Sequence, residues 1–246
     1  MTLITDYTKS DFIKSVKEIN HLQSSYQLTP NNYIRVILNL GDTMEREMIG
    51  SIRSTTIAKG ELTMMGCQSR AFTLSGESLH YIEVCINPVY SRLIFSHTPD
   101  FNRNESQTHL SENITNQGSL LTYLNATFKW KDYTPDHTLL HAIEMIKESK
   151  GEIKISSIYD TLQVSKSNLE QKFSYHLGLT AKEFCKIEKL KNFLENYKLH
   201  GKNLNLTQLT FKSGYYDQSH LIKDFRYFMD CKPREFFKGR ELLNHL

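Results

Sequence analysis

The polar side chains best placed to bind something in this 246-residue chain fall in two short stretches. One runs Asp217-Gln218-Ser219-His220-Leu221-Ile222-Lys223-Asp224-Phe225-Arg226, and the other Ser165-Lys166-Ser167-Asn168-Leu169-Glu170-Gln171-Lys172-Phe173. Each opens on a residue suited to cap a helix, Asp217 or Ser165. Behind the caps, Leu221, Ile222, Phe225 and Phe228, and likewise Leu169 and Phe173, fall at helical spacing. Short polar side chains are left on the outer face near each helix start, where they suit the edges of bases in a major groove. Ser167, Asn168, Gln171, Gln218, Ser219 and Lys223 are therefore the expected base contacts; an amide such as Gln218 pairs with adenine through two hydrogen bonds. Lys166, Arg226, Lys232 and Arg234 suit phosphates, where charge positions a protein without reading sequence. His220 fits a packing role at least as well.

Other chemistry is poorly represented. No Ser/His/Asp set, Gly-rich phosphate loop or paired carboxylates stand out, so an enzyme is not expected. The four cysteines, Cys67, Cys85, Cys185 and Cys231, lie far apart without a CxxC spacing, which argues against structural zinc and a disulfide framework. His80 and His97 stand alone, and no metal or cofactor is expected. No apolar run approaches the roughly 20 residues of a membrane helix. The first twenty residues carry Asp6, Asp11 and Glu18 and no apolar h-region, so the expected location is the cytoplasm. The net charge of +3 is small, but its distribution is uneven. From Asp136 onward there are 18 Lys/Arg against 14 Asp/Glu, whereas the first 135 residues hold 12 against 13. The basic excess lies with the two stretches, as phosphate contacts require.

Periodicity supplies the elements that hold them. Asp11 to His21 puts Phe12, Val16 and Ile19 at helical spacing and predicts a short helix. Tyr33–Leu40, Glu61–Cys67, Arg70–Leu74 and Leu79–Asn87 read as strands, punctuated by glycines and closed by Pro88. Val89 to Phe95 reads as helical. The polar stretch from Thr98 to Asn116 reads as loop or linker. Leu120, Leu121, Leu124 and Phe128 predict a helix, and Thr134-Pro135 predicts the start of another that runs to Ser149. From Ser156 the predicted helices are short, well capped and closely spaced, with one long exception, from the Thr180-Ala181-Lys182-Glu183 capping box to about Leu199. The reading is an α+β chain. Residues 1–102 form a β-rich sandwich or barrel, 103–135 a linker with a helix, and 136–246 an all-α domain of seven helices.

Residues 139–237 resemble the DNA-binding domain of the AraC/XylS family of bacterial transcription regulators. The resemblance rests on Val164-Ser165 with Leu169 and Phe173, then Gly178-Leu179-Thr180 and Lys189-Leu190. It continues with Gly214-Tyr215, Asp217-Gln218-Ser219-His220, Phe225 and Pro233. It implies two helix-turn-helix units on one long shared helix, with helices 166–177 and 218–228 reading double-stranded DNA. The family usually has small residues where Tyr159 and Thr210 stand, glycine at Gln163 and Asp230, and arginine at Gln171. The N-terminal half faintly resembles the cupin-like sensor domains found ahead of such DNA-binding domains, in Tyr33–Leu40, Gly50-Ser51-Ile52-Arg53 and Tyr81–Asn87. That resemblance implies a small-molecule effector, with Tyr33, Phe72, Tyr81 and Tyr90 as candidate lining residues, and a homodimer. The function expected is a sequence-specific regulator, an activator that contacts RNA polymerase. The alternatives are a small-molecule enzyme carrying a helix-turn-helix module, or a protein-interaction protein.

Overall fold

Ile34–Asn39 and Leu79–Ile86 are almost unbroken in burial, which marks strands covered on both faces. The computed structural model, which describes residues 2–6, 11–21, 24–51, 54–95, 105–109, 114–201 and 203–241, shows what covers them. The strands are β1 (Thr2–Asp6), β2 (Ile13–His21), β3 (Ser25–Leu28), β4 (Ile34–Asn39), β5 (Met44–Met48), β6 (Ser54–Ile57), β7 (Glu61–Met65), β8 (Phe72–Ser75), β9 (Leu79–Ile86) and β10 (Glu105–His109). They form two antiparallel sheets, β1-β2-β9-β4-β7-β10 and β3-β8-β5-β6. Side-chain parity divides the larger sheet. Val36, Leu62 and Val84 face the helices, whereas Ile37, Met65 and Tyr81 face the smaller sheet and meet Met44, Phe72 and Leu74.

This two-sided burial explains one correction. Asp11–His21 is not helical; most of it is β2, paired with β9 through Val16↔Val84 and Ile19↔Tyr81. Val16 faces the helices and Ile19 the sandwich interior, so both are buried on opposite faces of a strand and mimic a helical stripe. The polar stretch also contains an element, β10, the edge strand that pairs with β7. β5 lacks an apolar strand pattern because its inward-facing middle residue is Arg46. Ile52, Arg53 and His97 lie outside the described residues.

The helices are α1 (Ser91–Phe95), α2 (Gln117–Phe128), α3 (His137–Glu148), α4 (Ile155–Thr161), α5 (Lys166–Leu177), α6 (Ala181–His200), α7 (Leu206–Lys212), α8 (Gln218–Met229) and α9 (Pro233–Glu241). α3 begins two residues later than Thr134-Pro135 implies. Asp136 is its cap and accepts the Leu139 N–H at 2.9 Å. In α2, Leu120 and Leu124 are buried, and Phe128 packs on Phe12 with ring centroids 6.3 Å apart. The apolar face of α2 is thus covered by its own chain. The seven helices α3 to α9 form the expected C-terminal domain around α6.

Candidate nucleic-acid interface

Each of the two candidate helices is started by one side chain. Ser165 Oγ accepts the Asn168 N–H at 3.1 Å to open α5, and Asp217 Oδ1 accepts the His220 N–H at 2.7 Å to open α8. Leu169, Phe173 and Leu177 bury one face of α5; Leu221, Phe225 and Phe228 bury one face of α8. Burial of these faces turns the polar set outward. Lys166, Ser167, Asn168, Gln171, Ser219, Lys223, Arg226, Lys232 and Arg234 are exposed, and Gln218 is half-buried. Arg234 also borders a cavity of about 260 Å³ lined by Tyr197, Leu204, Leu206, Leu209 and Phe237.

Two features of the second unit depend on contacts between helices. Gln218 Nε2 donates to Thr207 Oγ1, on α7, at 2.5 Å. Asp224 is 1% exposed and takes a 2.6 Å hydrogen bond from Lys186 Nζ, which ties α8 to α6. The available signal was a charged residue on the apolar side of a helix. His220 packs edge-on against Tyr215 at 5.3 Å and stands 3.7 Å from Asp224 Oδ2, so its ring serves the fold. In the first unit, Lys172 pairs with Asp136 at the cap of α3. Burial works to raise the Asp136 carboxyl, but the hydrogen bonds from Lys172 and Leu139 outweigh it and hold the group below its usual value.

Both units pack on α6, the first through Phe173 against Phe184 and the second through Phe225 against Phe193. Its capping box is formed by Thr180 and Glu183, and its twenty residues rise roughly 30 Å. Contacts from the N-terminal region reach α6 and the ends of α5 and α8. Asn32 donates to Phe184 O at 2.8 Å and to Glu188 Oε1 at 3.2 Å on α6. Ser91 donates to His176 O and Arg92 to Tyr175 O, at the end of α5, with the Arg92 guanidinium over the Tyr175 ring. The Ala71 N–H donates to Phe228 O at 2.8 Å, at the end of α8, and Arg70 lies 4.2 Å from the Tyr227 ring centroid. Carbonyls at a helix C-terminus lack partners within the helix, so donors and cations are stabilising there. α5 and α8 are therefore held by their C-terminal ends and present their N-terminal ends.

The aromatic effector candidates do not converge. Phe72 and Tyr81 share the sandwich interior, where Arg35 and Arg46 lie 5.1 and 5.9 Å from the Phe72 ring and Arg35 bonds Glu83 at 2.6 Å. Tyr90 packs elsewhere, against Phe12 and Trp130. Tyr33 lies at the junction of the two regions, its ring 4.4 Å from the Lys147 ammonium and 5.2 Å from that of Lys191. Burial draws Lys147 down to about 8. His80 bonds Glu18 at 3.0 Å. Among the described residues, no three His, Cys, Asp or Glu side chains group as a metal site, and no helix is long and apolar enough to cross a membrane.

A family profile described as a helix-turn-helix domain matches residues 158–239, the span of both units and α6. The C-terminal region is an AraC-type helix-turn-helix domain. With that domain the chain is a DNA-binding transcription regulator rather than an enzyme. No curated protein sequence matches it. Among solved structures, ToxT from Vibrio cholerae superposes with a TM-score of 0.58 at 12% identity, over 96% of this chain and 97% of that one. ToxT from strain SCE256 with an unsaturated fatty acid bound gives 0.58 at 15% identity, over 96% and 94%. ToxT from Vibrio cholerae O395 bound to (E)-4-(8-methylnaphthalen-1-yl)but-3-enoic acid gives 0.56 at 12%, over 96% and 97%. The shared fold thus covers the β region ahead of the AraC-type domain as well as the domain itself.

Proposed function

We propose that this regulator reads two successive major grooves of double-stranded DNA, one with the start of α5 and one with the start of α8. It acts in the cytoplasm as an activator that contacts RNA polymerase. The observation that carries the reading is the pairing of two exposed polar helix starts on a rod, α6, of roughly 30 Å. The groove repeats every 34–36 Å or so along one side of B-DNA, a length this rod comes close to spanning. Footprinting on DNA upstream of the chain's own gene, repeated across a salt series, tests it. Two protected patches one helical turn apart are the expected result. Weak protection indifferent to sequence would favour a protein-interaction role instead.

The junction at Tyr33 is the effector site of this reading. Lys147, Lys191 and Tyr33 meet there, and Lys191 Nζ stands 4.0 Å from both Glu188 Oε2 and the more exposed Glu195 Oε1. A ligand carboxylate would add a partner for the Lys147 ammonium, which lies against the Tyr33 ring. Both ToxT ligands named above are carboxylic acids with an apolar body, which supports an amphipathic carboxylate as the effector. An unsaturated fatty acid should then raise the Tm of this protein, the matching alcohol should not, and Lys147→Met should abolish the rise. An equal shift with acid and alcohol would contradict the assignment.

A further inference from the structure

Gln218 is the side chain of this interface on which most depends, and an isolated glutamine at a helix start samples many rotamers. Here its amide is held from outside its own helix. Gln218 is the first residue of α8 and Thr207 the second of α7, and Gln218 Nε2 donates to Thr207 Oγ1 at 2.5 Å. Both partners sit on stiff starts. Asn205 and Gln208 form the capping box of α7 through 2.9 and 3.0 Å bonds, while Asp217 caps α8. Thr207 itself is exposed and β-branched, so its hydroxyl is confined to few positions.

We infer that Thr207 is a positioning residue for base reading, and this rests on Gln218 being a base contact. One Nε2 hydrogen is engaged by Thr207. The other, together with Oε1, forms the donor-acceptor pair that matches the N7 and N6 groups of adenine. Fixing the amide beforehand removes part of the ordering that binding would otherwise require, and it removes it only for the base that needs both groups. Thr207 therefore contributes to preference at one base pair without touching that pair.

The test compares the full-length wild type with Gln218→Ala, Thr207→Val, Thr207→Ser and the Thr207→Val/Gln218→Ala double variant. Each is titrated against the operator and against operators carrying every base at the position read by α8. Gln218→Ala first checks the underlying reading; unchanged base preference in that variant alone would remove Gln218 from base contact, and this inference with it. With Gln218 in place, Thr207→Val keeps the shape but not the hydroxyl. It should lower preference for adenine roughly three- to tenfold. Thr207→Ser should restore it, and the double variant should lose no more preference than Gln218→Ala. Unchanged preference in Thr207→Val would overturn the positioning role while leaving Gln218 as a reader. A uniform loss across all sequences would also overturn it, by making Thr207 a backbone contact. Thermal melting of each variant separates these outcomes from unfolding.

Discussion

In the first reading unit the turn before the helix is made by Gln163 at φ +53°, and the helix ends on Gly178 at φ +68°. In the second the order is reversed, with Gly214 at φ +76° in the turn and Asp230 at φ +54° at the end. A residue with a Cβ pays roughly 1–2 kcal/mol for this left-handed region, less for Asp and Asn. Each unit thus keeps the same two backbone bends and relieves only one of them with glycine. The units also differ in what holds their polar face. Gln218 is tied to Thr207, whereas the side chains of Ser167, Asn168 and Gln171 carry no such bond among the described residues. The second unit is also the more aromatic. Phe225 meets Phe193, Phe236 and Phe237, at centroid distances of 6.1, 5.4 and 6.2 Å, while Phe173 meets Phe184 at 5.6 Å. The lesson is that two units with the same backbone bends differ in how their polar faces and their cores are held.

The largest difference should be in the cores. Phe225→Ala is expected to destabilise the protein by about 3–5 kcal/mol in denaturant titrations. Phe173→Ala should lose less, because each aromatic pair contributes about 0.5–1.5 kcal/mol beyond burial and it forfeits fewer of them. Equal losses would break the comparison. Next comes reading. Gln218→Ala should lower discrimination at one base pair by about 1–3 kcal/mol, and Gln171→Ala should lower it by less, in a scan of operator variants. A larger effect at Gln171 would make the first unit the principal reader.

Smaller effects concern the bends and the grip on α5. Gln163→Gly should raise stability by about 1 kcal/mol and Asp230→Gly by less, since Asp tolerates a left-handed backbone better. Gly214→Ala should lower it by about 1–2 kcal/mol. Chemical denaturation reads all three. Burial holds the His176 imidazole below its ordinary value. The unfolded chain then takes up that proton first, so stability falls as pH drops through about 6.5 and returns above it. Hydrogen exchange at pH 7 and 5.5 should show amides at the end of α5 loosening on acidification while those at the end of α8 hold.

What could be read beforehand follows from how local the signal is. The caps Ser165, Thr180 and Asp217 act within three residues, and each opens its helix where the sequence places it. Burial of Leu169, Phe173, Leu221 and Phe225 was equally legible, because a helical stripe is a property of one element. The misreadings came from longer range. Val16 and Ile19 are buried by two different layers, so their spacing carried no information about a helix. Arg46 hid a strand because its guanidinium lies inside the sandwich, and β10 is defined by its partner β7 rather than by its own polar residues. The same limit applies to the site. Which side chains face outward is visible in the spacing, but the bond from Gln218 to Thr207 joins residues eleven apart on two different helices. The donors from Ala71, Ser91 and Arg92 to the ends of the reading helices depend on how the two regions dock.

Both units hang on α6, an uninterrupted helix tied to α8 by Lys186 and Asp224. The most direct check is therefore to insert half a helical turn, about five base pairs, between the two half-sites of the operator and measure binding by the intact protein. A rigid pair of readers should lose the affinity of one half-site, and a full-turn insertion should not rescue it because the rod cannot lengthen. Affinity unaffected by the half-turn insertion would mean that α5 and α8 do not engage one face of the duplex together.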